Sequence, residues 1–133
     1  MKIKIFFSII ILLVIGAIIT VISSNSTPKE PGKYDAFAVC LKEKKAVFYG
    51  AFWCSHCKSQ KELFGSSQKL LPYVECSTAD GQNQTQICKD KDIKGYPTWE
   101  FADGTSMNGE IPLATLAEKT GCVLPPEPEQ PKQ

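Results

Sequence analysis

Residues Ala46 to Cys57, read as AVFYGAFWCSHC, decide the fold of this chain. Ala46 to Tyr49 is a short apolar run of the kind that forms a buried strand. Directly behind it stand two cysteines separated by two residues, and Ser55 to Leu70 then reads as a helix with Leu63 and Phe64 on one side. A cysteine at a helix start meets backbone N–H groups with no intrahelical partner and the positive end of the helix dipole, and both favour its thiolate. The second cysteine, one turn further in, is placed to attack a mixed disulfide formed by the first. Cys54 is therefore the candidate nucleophile and Cys57 the resolving thiol. Phe52 and Trp53 supply an apolar rim that suits an unfolded chain. His56, between the cysteines, would stabilise the reduced form if protonated and so make the disulfide a stronger oxidant.

Outward from this stretch the elements alternate. Asp35 to Lys42 has Phe37, Ala38 and Leu41 on a helical period. Tyr73 to Cys76 is a second short strand, and Gln84 to Lys91 a short helix after the Asp80-Gly81 turn. Thr98 to Phe101 and Thr105 to Asn108 flank Ala102-Asp103-Gly104 as a hairpin, and Leu113 to Lys119 is a helix stopped by Gly121. The order predicts an α/β fold with a small mixed central sheet flanked by helices.

The ends differ in composition. Ile5 to Ile22 is apolar except for Ser8, Gly16 and Thr20, and Lys2 and Lys4 precede it. At about 1.5 Å per residue, such a helix nearly spans a hydrocarbon core of about 30 Å. It exceeds the ordinary apolar segment of a cleaved signal and lacks a clear small-x-small cleavage site. Residues 1–23 are read as an uncleaved signal anchor, with the lysines inside and the remainder on the periplasmic or extracellular side. Residues 24–34 form a Pro- and Gly-broken linker, residues 35–124 the globular domain, and residues 125–133 a Pro-rich disordered tail.

The chain of 133 residues has a net charge of +1, and its fifteen basic residues are all Lys. Without a basic stripe or any Arg, nucleic acid is not an expected partner. Other uses of the pair were weighed. A haem attachment site needs His directly after the second cysteine, where Lys58 stands. Zinc or copper held by the cysteines, a structural Cys54–Cys57 disulfide and a purely adhesive role remain as alternatives, although no second Cys-x-x-Cys pair is present.

Phe52-Trp53-Cys54-x-x-Cys57 and Gly95-Tyr96-Pro97-Thr98 together resemble the thioredoxin superfamily. The resemblance implies a thioredoxin-like fold, a cis bond before Pro97, and a substrate surface shared by Trp53 and Tyr96. A narrower similarity covers Tyr49 to Cys57, Gln60 to Gly65, Tyr73 to Cys76 and Gly95 to Glu100. It is to the thioredoxin-like domains fused to, or partnering, bacterial homologues of vitamin K epoxide reductase. Two departures stand out: Ser55 replaces the Pro of the Cys-Pro-His-Cys oxidase motif, and Phe48 stands where cytoplasmic thioredoxins carry a buried Asp.

What this implies is a membrane-anchored, monomeric thiol–disulfide oxidoreductase. It would use no cofactor beyond the Cys54–Cys57 disulfide and no metal. It would oxidise secreted protein thiols and be re-oxidised by a separate quinone-linked membrane enzyme. A reductase or isomerase fed by a membrane electron donor is the alternative direction. Six cysteines allow fifteen connectivities, and the resemblance implies Cys40–Cys122, at the pole opposite the site, and Cys76–Cys88 beside it.

Overall fold

The computed structural model describes residues 3, 7, 10–13 and 31–126, which fall into two units, residues 1–30 and residues 31–133. In the first unit the described residues are helical and carry exposed apolar side chains. Among the described residues no helix is long and apolar enough to cross a membrane. Most of the expected anchor, linker positions 24–30 and tail positions 127–133 lie outside the described residues.

The second unit is built on a four-stranded sheet. Helix α1 (Asp35–Glu43) leads into β1 (Val47–Gly50), helix α2 (Ser55–Glu62), a 3-10 turn (Gly65–Leu70) and β2 (Tyr73–Glu75). Helix α3 (Gln86–Asp90), the hairpin β3 (Thr98–Glu100) and β4 (Ser106–Asn108), and helix α4 (Leu113–Thr120) follow. The strand order is β2-β1-β3-β4, with β1 parallel to β2 and antiparallel to β3. The sheet is thus mixed and has β1, the strand that delivers the cysteines, at its centre.

The core explains this arrangement. Phe48 and Trp99 are cross-strand partners, both fully buried, with their rings stacked 4.9 Å apart. Phe37 from α1 stacks on Phe64 at 5.9 Å, and Leu41 and Leu116 complete the same cluster. Burying each such side chain contributes about 1.5–3 kcal/mol. The apolar period of α1 is therefore the face that closes over the sheet.

Several element boundaries differ from the sequence reading, most by a single residue. The long helix expected over Ser55 to Leu70 ends at Glu62, because Gly65 takes a positive φ of 53° that a continuing helix cannot use. Leu63 and Phe64 consequently part company, Leu63 being 44% exposed and Phe64 buried. Helix α3 starts two residues later than expected, since Gln84 pairs with Ser77 in an isolated bridge and Thr85 is extended. The hairpin strands are each a residue shorter, because Phe101 and Thr105 close the turn with Gly104 at φ 77°. At the other end α4 stops where expected, on left-handed Gly121, whose N–H bonds the Ala117 carbonyl at 2.8 Å.

Candidate active site

Strand β1 ends on Gly50, and Ala51 to Cys54 form a turn in which the Cys54 N–H bonds the Ala51 carbonyl at 3.0 Å. Cys54 is extended and caps α2, its Sγ accepting the Cys57 N–H at 3.2 Å. A sulfur in this position takes up a donor that the helix leaves unpaired. The Cys57 thiol donates to Cys54 Sγ across 2.6 Å.

Both cysteines are buried but unequally: Cys54 is 8% exposed and lines a cleft, Cys57 only 1%. Burial first, and then its hydrogen bond to Cys54, push the Cys57 thiol up from 9.0 to about 12. Cys57 therefore stays protonated behind a reachable Cys54. The shift has a consequence for stability of the reduced protein. Below about pH 9 both the folded and the unfolded chain hold this proton, and the contribution is fully present. Between about pH 9 and 12 the unfolded chain releases it first, so stability falls as pH rises through that window. Urea unfolding of the reduced wild type should show a steeper loss from pH 8.5 to 10.5 than Cys57→Ala, and parallel curves would refute the assignment.

Gly50 is required by this packing. A Cβ there would lie 2.8 Å from Tyr73 Cε2 and 3.1 Å from Cys57 Sγ. Gly50→Ala is expected to destabilise the domain by about 1–3 kcal/mol through overpacking, measured as a lower urea midpoint with an unchanged slope.

Behind Cys57 lies a polar group that sequence reasoning did not single out. Lys61 Nζ sits 3.3 Å from the centre of the Tyr73 ring, and burial lowers its pKa, with Glu75 opposing that shift. The Tyr73 hydroxyl donates to Glu75 at 2.7 Å, and burial followed by this bond raises the phenol well above its ordinary range. The other Glu75 oxygen accepts the N–H groups of Phe52 and Ser77 at 3.2 and 2.9 Å, tying the active-site turn to β2. A Glu on a short strand carries no local signal of such a role.

In front of the pair is an open cleft of about 560 Å³ lined by Trp53, Cys54, Ser55, His56, Lys94, Gly95 and Tyr96. Trp53 is 56% exposed and meets Tyr96 edge to face at 6.0 Å. The Tyr96–Pro97 bond is cis, and Pro97 is buried below the cleft. His56 does not turn to the sulfur: its Nδ1 lies 2.6 Å from Glu110 Oε1, both side chains being exposed. An ion pair so exposed is worth about 0–1 kcal/mol. Glu110 is held in place through its neighbour, because fully buried Gln60 donates to the Ile111 carbonyl at 3.0 Å and accepts its N–H at 2.6 Å. Sequence reasoning did not single out Gln60 or Glu110 as site residues, since their partners lie 51 and 54 residues away in the chain.

Cys40 and Cys122 are bonded, as are Cys76 and Cys88, with Cα separations of 5.9 and 5.5 Å. Among the described residues, no three His, Cys, Asp or Glu side chains converge on a metal-sized site.

Residues 30–119 match the family described as Thioredoxin. The chain is 47% identical over 109 residues to the Arabidopsis thaliana protein named Thiol-disulfide oxidoreductase LTO1, covering 79% of this chain and 28% of that protein. It is 29% identical over 100 residues to Protein disulfide-isomerase A2 of Mus musculus, covering 66% and 19%. With Protein disulfide-isomerase 1 of Dictyostelium discoideum the identity is 28% over 95 residues, covering 65% and 25%. The chain thus spans between about a fifth and a third of the length of these curated relatives.

Proposed function

The chain belongs to the thioredoxin family and carries a thiol–disulfide oxidoreductase domain, and on that premise we propose that it oxidises the cysteines of secreted proteins. The observation that carries the proposal is the unequal pair: a reachable Cys54 capping a helix, with a buried, protonated Cys57 behind it.

With the pair as a disulfide, a substrate thiolate attacks Cys54 Sγ. The Cys54–Cys57 bond breaks, and Cys57 leaves as a thiolate and then takes a proton. A second substrate thiolate then attacks the substrate sulfur of the mixed disulfide and releases Cys54. The substrate has lost two electrons and two protons, and the pair has gained them. Renewed oxidation is assigned to a quinone-linked membrane enzyme of the vitamin K epoxide reductase type, to whose partner domains the sequence is similar. Residues Ile5 to Ile22, behind Lys2 and Lys4, support a single-pass anchor with the catalytic domain on the extracytoplasmic side.

The similarity to protein disulfide-isomerases favours a second reading, isomerisation or reduction. The reduction potential separates them. The oxidase reading expects a value above about −150 mV, more oxidising than the roughly −180 mV of protein disulfide isomerase, and one near the roughly −270 mV of thioredoxin would overturn it. Cys54 should accordingly be found oxidised in intact cells.

A further inference from the structure

The loop between Cys76 and Cys88 reaches both aromatic walls of the cleft, and it does so through two residues that face each other. Ser77 and Gln84 are partners in an antiparallel bridge, with the Thr85 N–H bonded to the Cys76 carbonyl at 2.8 Å beside it. The Ser77 hydroxyl accepts the Trp53 indole N–H at 2.8 Å. On the opposite side, the Gln84 side-chain amide donates to the Tyr96 hydroxyl and to the Ile93 carbonyl, each at 2.8 Å. At the loop tip, Gly81 adopts a φ of 73°, and its Cβ position lies 3.6 Å from the Phe52 ring and 3.7 Å from Trp53.

The loop has its own stiffness. Thr78 and Asn83 bond through the backbone at 2.8 Å, the Thr78 hydroxyl engages Asp80 and Asn83, and the Glu75 carboxylate holds the Ser77 N–H. The Cys76–Cys88 disulfide closes it at the base, and both its cysteines are fully buried, out of reach of the redox pair's substrates.

We propose that this disulfide-closed loop is a bracket that fixes Trp53 relative to Tyr96 and thereby selects an extended polypeptide segment over a small thiol, with Ser77 and Gln84 as its positioning residues. The proposal rests on the oxidoreductase reading. An exposed indole or phenol free to change rotamer must be immobilised when a peptide lies against it, which weakens binding; a wall already held by a hydrogen bond avoids that loss. A small thiol reaches Cys54 without leaning on either wall, so its reaction does not depend on the bracket.

The test compares wild type, Ser77→Ala, Gln84→Ala and Ser77→Thr, all of which keep both disulfides. Each is assayed, in oxidised form, with a fluorogenic dithiol peptide of roughly ten residues, a length that spans the aromatic walls in extended form, and with reduced glutathione. Both alanine variants should raise KM for the peptide by about five- to tenfold, the loss of one preorganised wall, with kcat and the glutathione rate within about twofold of wild type. Ser77→Thr, which keeps a hydroxyl for the indole, should restore the wild-type KM. Unchanged peptide KM in both alanine variants, or equal losses with peptide and glutathione, would overturn the bracket. A wild type inert toward both thiols would instead refute the oxidoreductase reading beneath it.

Discussion

Replacing Cys57 with Ala is expected to lower turnover of a dithiol substrate by at least on the order of 10³-fold, as when a member of a cooperating catalytic unit is removed. Covalent adducts should accumulate on Cys54 at the same time. The single substitution removes the sulfur that Cys54 must pair with to become an oxidant, and it also removes the group that clears a mixed disulfide. Cys54 remains at the helix start, 8% exposed in the wild type, with the N–H of residue 57 still available to its sulfur. It can therefore be captured by a substrate disulfide but cannot be released by an internal thiol. Non-reducing electrophoresis followed by mass spectrometry would identify the adduct. Cys54→Ala should lose turnover equally and trap nothing. Turnover surviving in Cys57→Ala would remove the resolving role from that residue.

The second large effect concerns the cross-link between α1 and the end of α4. Cys40, on α1, and Cys122, just beyond α4, are 82 residues apart and bonded. Closing a loop of that length is worth about 4.5 kcal/mol in the chain-entropy model, against about 3 kcal/mol for the shorter Cys76–Cys88 loop. Domains of this size have a total stability of about 5–15 kcal/mol. Cys40→Ala combined with Cys122→Ala should therefore lower Tm by roughly 20 °C, at about 4–8 °C per kcal/mol. Neither Cys40 nor Cys122 lines the cleft, so the potential of Cys54–Cys57 should stay where it is. Calorimetry of oxidised wild type and the double variant measures the first effect. A Tm shift of only a few degrees would show that the cross-link constrains little in the unfolded chain.

Much of the chemistry was local and therefore readable. The run Ala46 to Tyr49 into Cys54 and Cys57 specifies a buried strand followed at once by a helix start, and the structure has β1 and α2 there. The alternation of elements was recoverable for the same reason, because each apolar period records which face of a segment is buried. Boundaries slipped where a backbone conformation intervened. Gly65 at φ 53° ended α2, and the Ser77–Gln84 bridge delayed α3. No apolar period marks either event.

The partners of the site residues were a different matter. His56 was read as a neighbour of the thiolate, yet its ring pairs with Glu110, 54 residues away, on a loop that buried Gln60 anchors. Trp53 was read as a bare rim, yet Ser77 holds its indole from 24 residues away. Such contacts join segments far apart in the chain, and a polar residue that meets its partner only across the fold leaves no pattern in its own segment.

By itself, then, the sequence determined that Cys54 and Cys57 share one helix start, where backbone N–H groups only a turn away act on the first residues. The tertiary structure alone decided how unequal the two sulfurs are, since burial of Cys57 against Gly50 and Tyr73 requires three separate elements. It also decided what grips Trp53 and Tyr96 above them, because hydrogen bonds form by distance in space and not along the chain.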